Sequence, residues 1–165
     1  MSNKHWSEAL PSNVCHEALT WARNQPSATV AWRNCKRGDW MLWLLGKLSG
    51  DPDSDSRKKS VLATCACARL ALPYVKKGEE RPRIAIETAE AWVKGELGIT
   101  REQVNAAANA VYAAAYAANA AAYAANAAAN AANAAAYAAY AAARVSLLAK
   151  CADIVRQHYP EPPKL

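Results

Sequence analysis

The sequence predicts an all-α fold, in which a Trp-rich multi-helix N-terminal part continues into a long Ala-rich helix or helical hairpin. Three observations carry this. Alanine supplies 41 of the 165 residues and Phe none, so the core has to come from Trp, Leu and close Ala contacts. Six Gly and eight Pro are too few for a many-turned β-sandwich, and 21% charged residues beside six Trp do not fit a disordered chain. Residues 105–143 hold 27 Ala, 6 Asn, 5 Tyr and one Val with no charge, and alanine is the strongest helix former. The length suits a single domain, residues 1–165, with a Trp-rich part over 1–99, an Ala/Tyr/Asn-rich part over 100–159 and a tail over 160–165.

The front part reads as several short helices. Pro11 and Ser12 open a stretch to about Asn24, with Val14, Ala18 and Trp21 at helical spacing, and Pro26 with Ser27 closes it and starts the next, Ser27 to Cys35. Gly38 is expected to break the chain, with Asp39 capping Trp40-Met41-Leu42-Trp43-Leu44-Leu45, a run apolar all round and therefore central. Gly46 and Gly50 should end it. A surface turn over Asp51 to Ser56 then leads into a helix capped by Ser54 or Ser56, carrying Val61, Leu62, Cys65, Arg69 and Leu70 and stopped or kinked at Pro73. The spaced aspartates of that turn begin like a calcium loop, but Ser56 and Leu62 replace its Gly and its bidentate Glu. Pro82 belongs to a first helical turn, and Ala85, Ile86, Ala89, Trp92 and Val93 form the buried stripe of a helix ending near Gly95. Thr100 and Gln103 have the spacing of a capping box that launches the alanine segment.

Within that segment the larger residues alternate in steps of four and three from Asn105 to Arg144, a period of 3.5. Asn and Tyr occupy the positions where a coiled coil keeps apolar residues. A single helix from Arg101 to Tyr159 would be roughly 88 Å long, against about 40 Å for a compact chain of this size. Either the chain folds back, most plausibly around Asn126 to Asn133, or a rod pairs with a second copy. The hairpin is favoured. The closing turns, with Leu147, Leu148, Cys151, Ile154 and Val155, are expected to dock on the Trp-rich part.

The Tyr/Asn stripe reads either as packing against a neighbouring helix or as a groove in which phenol rings stack on planar bases and amide forks pair with their edges. On the second reading the ligand-binding residues are Tyr112, Tyr116, Asn119, Tyr123, Asn126, Tyr137 and Tyr140, with Arg69, Arg101 and Arg144 neutralising phosphate. A net charge of +6 favours an anionic partner. Five scattered cysteines form no full disulfide framework, no N-terminal stretch reads as a secretion signal, and no apolar run suits a bilayer; a cytoplasmic protein is expected.

Catalytic signals are weak. No nucleophile elbow, phosphate loop, dinucleotide fingerprint or zinc-helix motif occurs. Cys65 and Cys67 diverge by about 200° on a helix, and Cys15 and His16 by about 100°. Glu87 and Glu90, three apart, read as surface acids rather than as an acid–base pair. No enzyme activity, metal or cofactor is expected.

The segments RGDWMLWLL at 37–45, CACARLALPYV at 65–75, ERPRIAIETAEAWVKGE at 80–96, the alanine–tyrosine repeat and CADIVRQHYP at 151–160 together resemble an immunity-protein family of bacteria and phages, immunity family five. The likeness spans most of the chain. It implies a non-catalytic protector, and Trp40, Arg69, Arg83, Glu87 and Trp92 within these segments read as packing residues. The favoured function is sequestration of a small anionic, nucleotide-type defence signal between helices. The alternatives are inhibition of a cognate bacterial toxin by direct binding and a structural helical dimer. A homo-oligomer is expected, and no membrane partner.

Overall fold

The computed structural model describes residues 4–75, 77–96, 98–110 and 133–165, with residues 133–140 as backbone alone. The protein is all-helical, with no strand among these residues. Its helices are α1 (His16–Arg23), α2 (Ala28–Asn34), α3 (Gly38–Leu48), α4 (Asp55–Arg69), α5 (Arg81–Lys94), the helical residues 101–110 (α6) and α7 (Asn133–His158). Short 3-10 turns precede α1 at Trp6–Ala9 and follow α4 at Leu72–Tyr74. The chain divides into two compact units: Met1–Cys67 together with Leu147–Leu165, and Ala68–Ser146.

In the first unit, local signals start and stop most helices. Ser27 accepts a hydrogen bond from the Val30 amide at 3.2 Å and so caps α2. Ser54, rather than Ser56, caps α4 by accepting from the Arg57 amide at 3.2 Å. Helix α1 begins only at His16, because residues 11–15 are spent in a turn closed by the Val14 amide on the Pro11 carbonyl.

Helix α3 departs from expectation at both ends. It starts at Gly38, not after it, and runs through Gly46 to Leu48. Gly38 is buried against α7, where a Cβ would lie 2.4 Å from Cys151 Cβ and 2.6 Å from the Ala152 nitrogen. That glycine is a packing residue, absent a side chain because two helix backbones meet there. At Gly46 the burial of Met41 and Leu45, each 2% exposed, outweighs the roughly 1 kcal/mol a mid-helix glycine costs.

The core of this unit gathers Trp32, Cys35, Met41, Leu45, Cys67, Ala152 and Val155. The final turns of α7 dock as expected, with Val155 and Ala152 at 0% exposure and Cys151 and Ile154 packed beside them. Arg156 secures the junction by donating to the Trp32 and Cys35 carbonyls at 3.1 and 2.7 Å, which satisfies the open C-terminal end of α2.

The second unit is ordered in its described part by caps and ion pairs. Pro82 sits in the first turn of α5, and Gly95 ends that helix in the left-handed region at φ 72°, where a side chain would be strained. Ile86 and Ala89 are the buried members of the α5 stripe, with Ala85, Trp92 and Val93 half-buried. The capping box forms: the Thr100 amide donates to Gln103 Oε1 at 2.7 Å, and the Gln103 amide to Thr100 Oγ1 at 3.3 Å. The choice between hairpin and rod depends on residues 111–132, which lie outside the described residues.

Candidate functional site

The first unit holds an aromatic cavity. Its volume is about 380 Å³, at the lower end of the range of small-molecule clefts. Helices α1, α2 and α3, the turn before α1 and the segment after α7 supply its walls. Five of the six tryptophans line it: Trp6, Trp21, Trp32, Trp40 and Trp43.

Each ring is positioned by its own element. Trp6 stands on the first 3-10 turn and is fixed by its indole N–H on the Gln25 carbonyl at 2.8 Å. His5 donates through Nε2 to the same carbonyl, which leaves Nδ1 to accept from Ser7. The Trp32 indole donates to the Tyr159 carbonyl at 2.7 Å, a contact between residues 127 positions apart. Trp21 on α1 and Trp40 on α3 meet at 6.0 Å between centroids with an interplanar angle of 55°, a tilted pairing that suits aromatic quadrupoles. Trp32 is buried, whereas Trp6, Trp21, Trp40 and Trp43 are half-buried and keep part of their faces open.

Charge enters the cavity at one edge. Arg37 lies with its guanidinium carbon 4.2 Å from the Trp40 ring and makes a two-pronged contact with Asp39 at 2.9 and 2.8 Å. A third bond reaches Glu17 at 3.0 Å. Burial works against the Asp39 charge, but the Arg37 contact outweighs it and holds the carboxyl below its usual range. The guanidinium is correspondingly held in its charged form by Asp39. Two carboxylates against one guanidinium leave this edge slightly acidic, so it offers acceptors to ring N–H groups and no welcome to phosphate. Two thiols also line the wall: Cys15 is exposed, and Cys35 is buried, with burial pushing its pKa up.

The described residues place part of the sequence-derived site. Arg69 ends α4 and makes a two-pronged contact with Glu90 of α5, at 3.0 and 2.7 Å. Arg69 thus holds a carboxylate where a phosphate was expected. Arg101 lies exposed at the start of α6, and Arg144 is exposed on α7. Tyr137 and Tyr140 belong to α7 by backbone. Tyr112, Tyr116, Asn119, Tyr123 and Asn126 lie outside the described residues. Glu87 and Glu90 serve as ion-pair partners, Glu87 accepting from Arg83 at 2.8 Å.

In the sequence the tryptophans read as core, and a cavity among them was not expected. Their crowding ahead of residue 44 was the available signal. No group of His, Cys, Asp and Glu among the described residues has the arrangement of a metal site. No described helix is long and apolar enough to cross a membrane. In comparisons with known proteins no family model matches the chain, and neither does any curated protein or solved structure.

Proposed function

We propose that this protein is a non-catalytic, immunity-type sequestering protein that captures a small planar ligand of nucleotide type, with the ring held in the tryptophan cavity. One observation carries the reading: five indoles converge on a 380 Å³ space whose charged groups are those of the Glu17–Arg37–Asp39 edge. Such walls supply stacking to any flat ring, worth about 1–3 kcal/mol per base on aromatic side chains, and the acidic edge accepts its N–H groups. No step of bond making is required of these residues. The Tyr/Asn stripe stays within the proposal as a surface of its own for the same class of ligand, and the net charge of +6 supports a ligand that carries an anion beyond its ring.

The cavity makes its own reporter. Titration with adenosine, adenosine 5′-monophosphate and cyclic dinucleotides should quench and shift tryptophan emission, with saturation in the nanomolar to micromolar range. Trp40→Ala should weaken binding by at least tenfold while the helical circular dichroism is kept. Alkylation of Cys15 at the cavity wall should slow in the presence of a ligand that binds. Unchanged emission across the whole panel, with a toxin protein co-purifying instead, moves the function to direct toxin inhibition.

A further inference from the structure

The charged edge of the tryptophan cavity is not saturated. Asp39 spends both carboxylate oxygens on Arg37, at 2.9 and 2.8 Å. Glu17 accepts from Arg37 through Oε1 at 3.0 Å, and its Oε2 has no partner among the described residues. A guanidinium carries five N–H donors, of which these contacts use three. Glu17, Arg37 and Asp39 line the same cavity as Trp21 and Trp40, and local structure holds them there. Glu17 stands in the first turn of α1, four residues before Trp21 and therefore on the same helix face. Arg37 precedes α3, lies 4.2 Å from the Trp40 ring and is pinned by Asp39 two residues on. The Glu17 side chain is 71% exposed, so its open oxygen can be reached from solvent without any rearrangement of the helices.

We infer that the Glu17–Arg37 edge selects a guanine-type ring, a purine with an oxo group at C6 and an amino group at C2. The inference rests on the capture reading above and names the class of ring. Side by side, Arg37 and Glu17 present a donor next to two carboxylate acceptors. The pairing edge of guanine is the complement of that row: the O6 acceptor, then the N1–H donor, then the N2–H donor. O6 accepts from an unused guanidinium N–H, and the Glu17 carboxylate accepts from N1–H and N2–H in a two-pronged, charge-assisted contact. Adenine reverses the order. Its 6-amino donor meets the guanidinium, and its N1 lone pair meets the carboxylate. Uracil and thymine set a second carbonyl against the carboxylate where guanine has N2–H. Each mismatch leaves a charged group without the bond it could have made, and such bonds are the ones that discriminate. Asp39 is a positioning residue: it fixes Arg37 beside Glu17 and has no oxygen left over for the ring.

Calorimetric titration of the full chain with guanosine, inosine and adenosine tests this. Inosine keeps O6 and N1–H and lacks only the 2-amino group. Guanosine should bind about tenfold more tightly than inosine, the range of one hydrogen bond to a charged acceptor, and more tightly still than adenosine. Glu17→Gln keeps the length of the side chain and replaces one acceptor oxygen by a donor. It should weaken guanosine about tenfold, leave adenosine within about twofold and close the gap between guanosine and inosine. Equal weakening of all three probes would make Glu17 a merely structural residue and overturn the assignment, as would a gap that persists in the variant. Equal affinity of the unaltered protein for guanosine and adenosine overturns the edge and leaves the capture reading standing. Absence of binding by all three nucleosides and by their 5′-monophosphates fails the capture reading and this inference together.

Discussion

The two compact units are held by different physics. In the first, contacts are apolar and close: Leu45 and Val155 have almost no exposed surface, and Gly38 admits α7 so nearly that no side chain fits. In the described part of the second, α5 buries Ile86 and Ala89 on one side, and its remaining order is written in surface ion pairs, Arg83 with Glu80 and Glu87, Arg69 with Glu90. The apolar core of the first is intolerant of added volume, whereas the described order of the second leans on exposed ion pairs that salt screens. The difference shows that close apolar packing can dominate one region of a chain while exposed ion pairs carry more of the described order in another.

Gly38→Val should break the comparison most severely. The obstructing atoms include the backbone of Cys151 and Ala152, which cannot rotate away, so a loss of about 3 kcal/mol or more is expected. In thermal unfolding that is a fall of roughly 6–12 °C. Gly46→Ala in the same helix meets nothing within 4 Å and should instead raise stability by about 0.5–1 kcal/mol. Equal outcomes for the two glycines would mean that the α3–α7 approach is looser than described.

Arg156→Met comes next. It leaves the Trp32 and Cys35 carbonyls without their donor, and a loss of about 2 kcal/mol by denaturant melting is expected. The ion pairs of α5 should give the smallest effect. Arg83→Ala is expected to cost no more than about 0.5 kcal/mol and to lose even that at 1 M salt.

Acid cuts across the contrast, because each unit has a carboxylate held by an arginine. Asp39 and Glu90 both have carboxyl pKa values below the ordinary range, Asp39 because Arg37 outweighs its burial and Glu90 because of its bond to Arg69. Their contribution is therefore complete above the unfolded value near 4 and is lost as pH falls through the lower folded value. Melting followed from pH 6 to pH 2 should show the loss, and Asp39→Asn should flatten part of it. A profile identical to that of the unaltered protein would remove Asp39 from the account.

Much of the fold was legible because it is encoded within a turn or two. Ser27, Ser54, Pro82, Gly95 and the Thr100–Gln103 pair each act on neighbours three or four residues away, and such signals survive without knowledge of the rest of the chain. Gly38 misled for the opposite reason. A glycine that breaks a helix and one that lets two helices touch are the same letter, and only the distant Cys151 and Ala152 tell them apart. The cavity was hidden on the same ground. Six tryptophans in a Phe-free chain look like core, and whether their faces meet one another or a space depends on residues more than a hundred positions away, as the Trp32–Tyr159 contact shows. Of the arginines in the sequence-derived site, Arg69 meets an anion, and that anion is Glu90.

The first unit is assembled from two stretches separated by about 80 residues of the second, Met1–Cys67 and Leu147–Leu165. During synthesis, helices α1 to α3 emerge long before the turns of α7 that seal Gly38 and cap α2, and before Tyr159, which receives the Trp32 indole. Until those residues arrive, the Trp32 indole lacks its acceptor and the end of α2 its donor. Closing so large a loop raises the entropic barrier only logarithmically, yet it sets an order of events. The aromatic chamber is completed only after the whole of the second unit has been made.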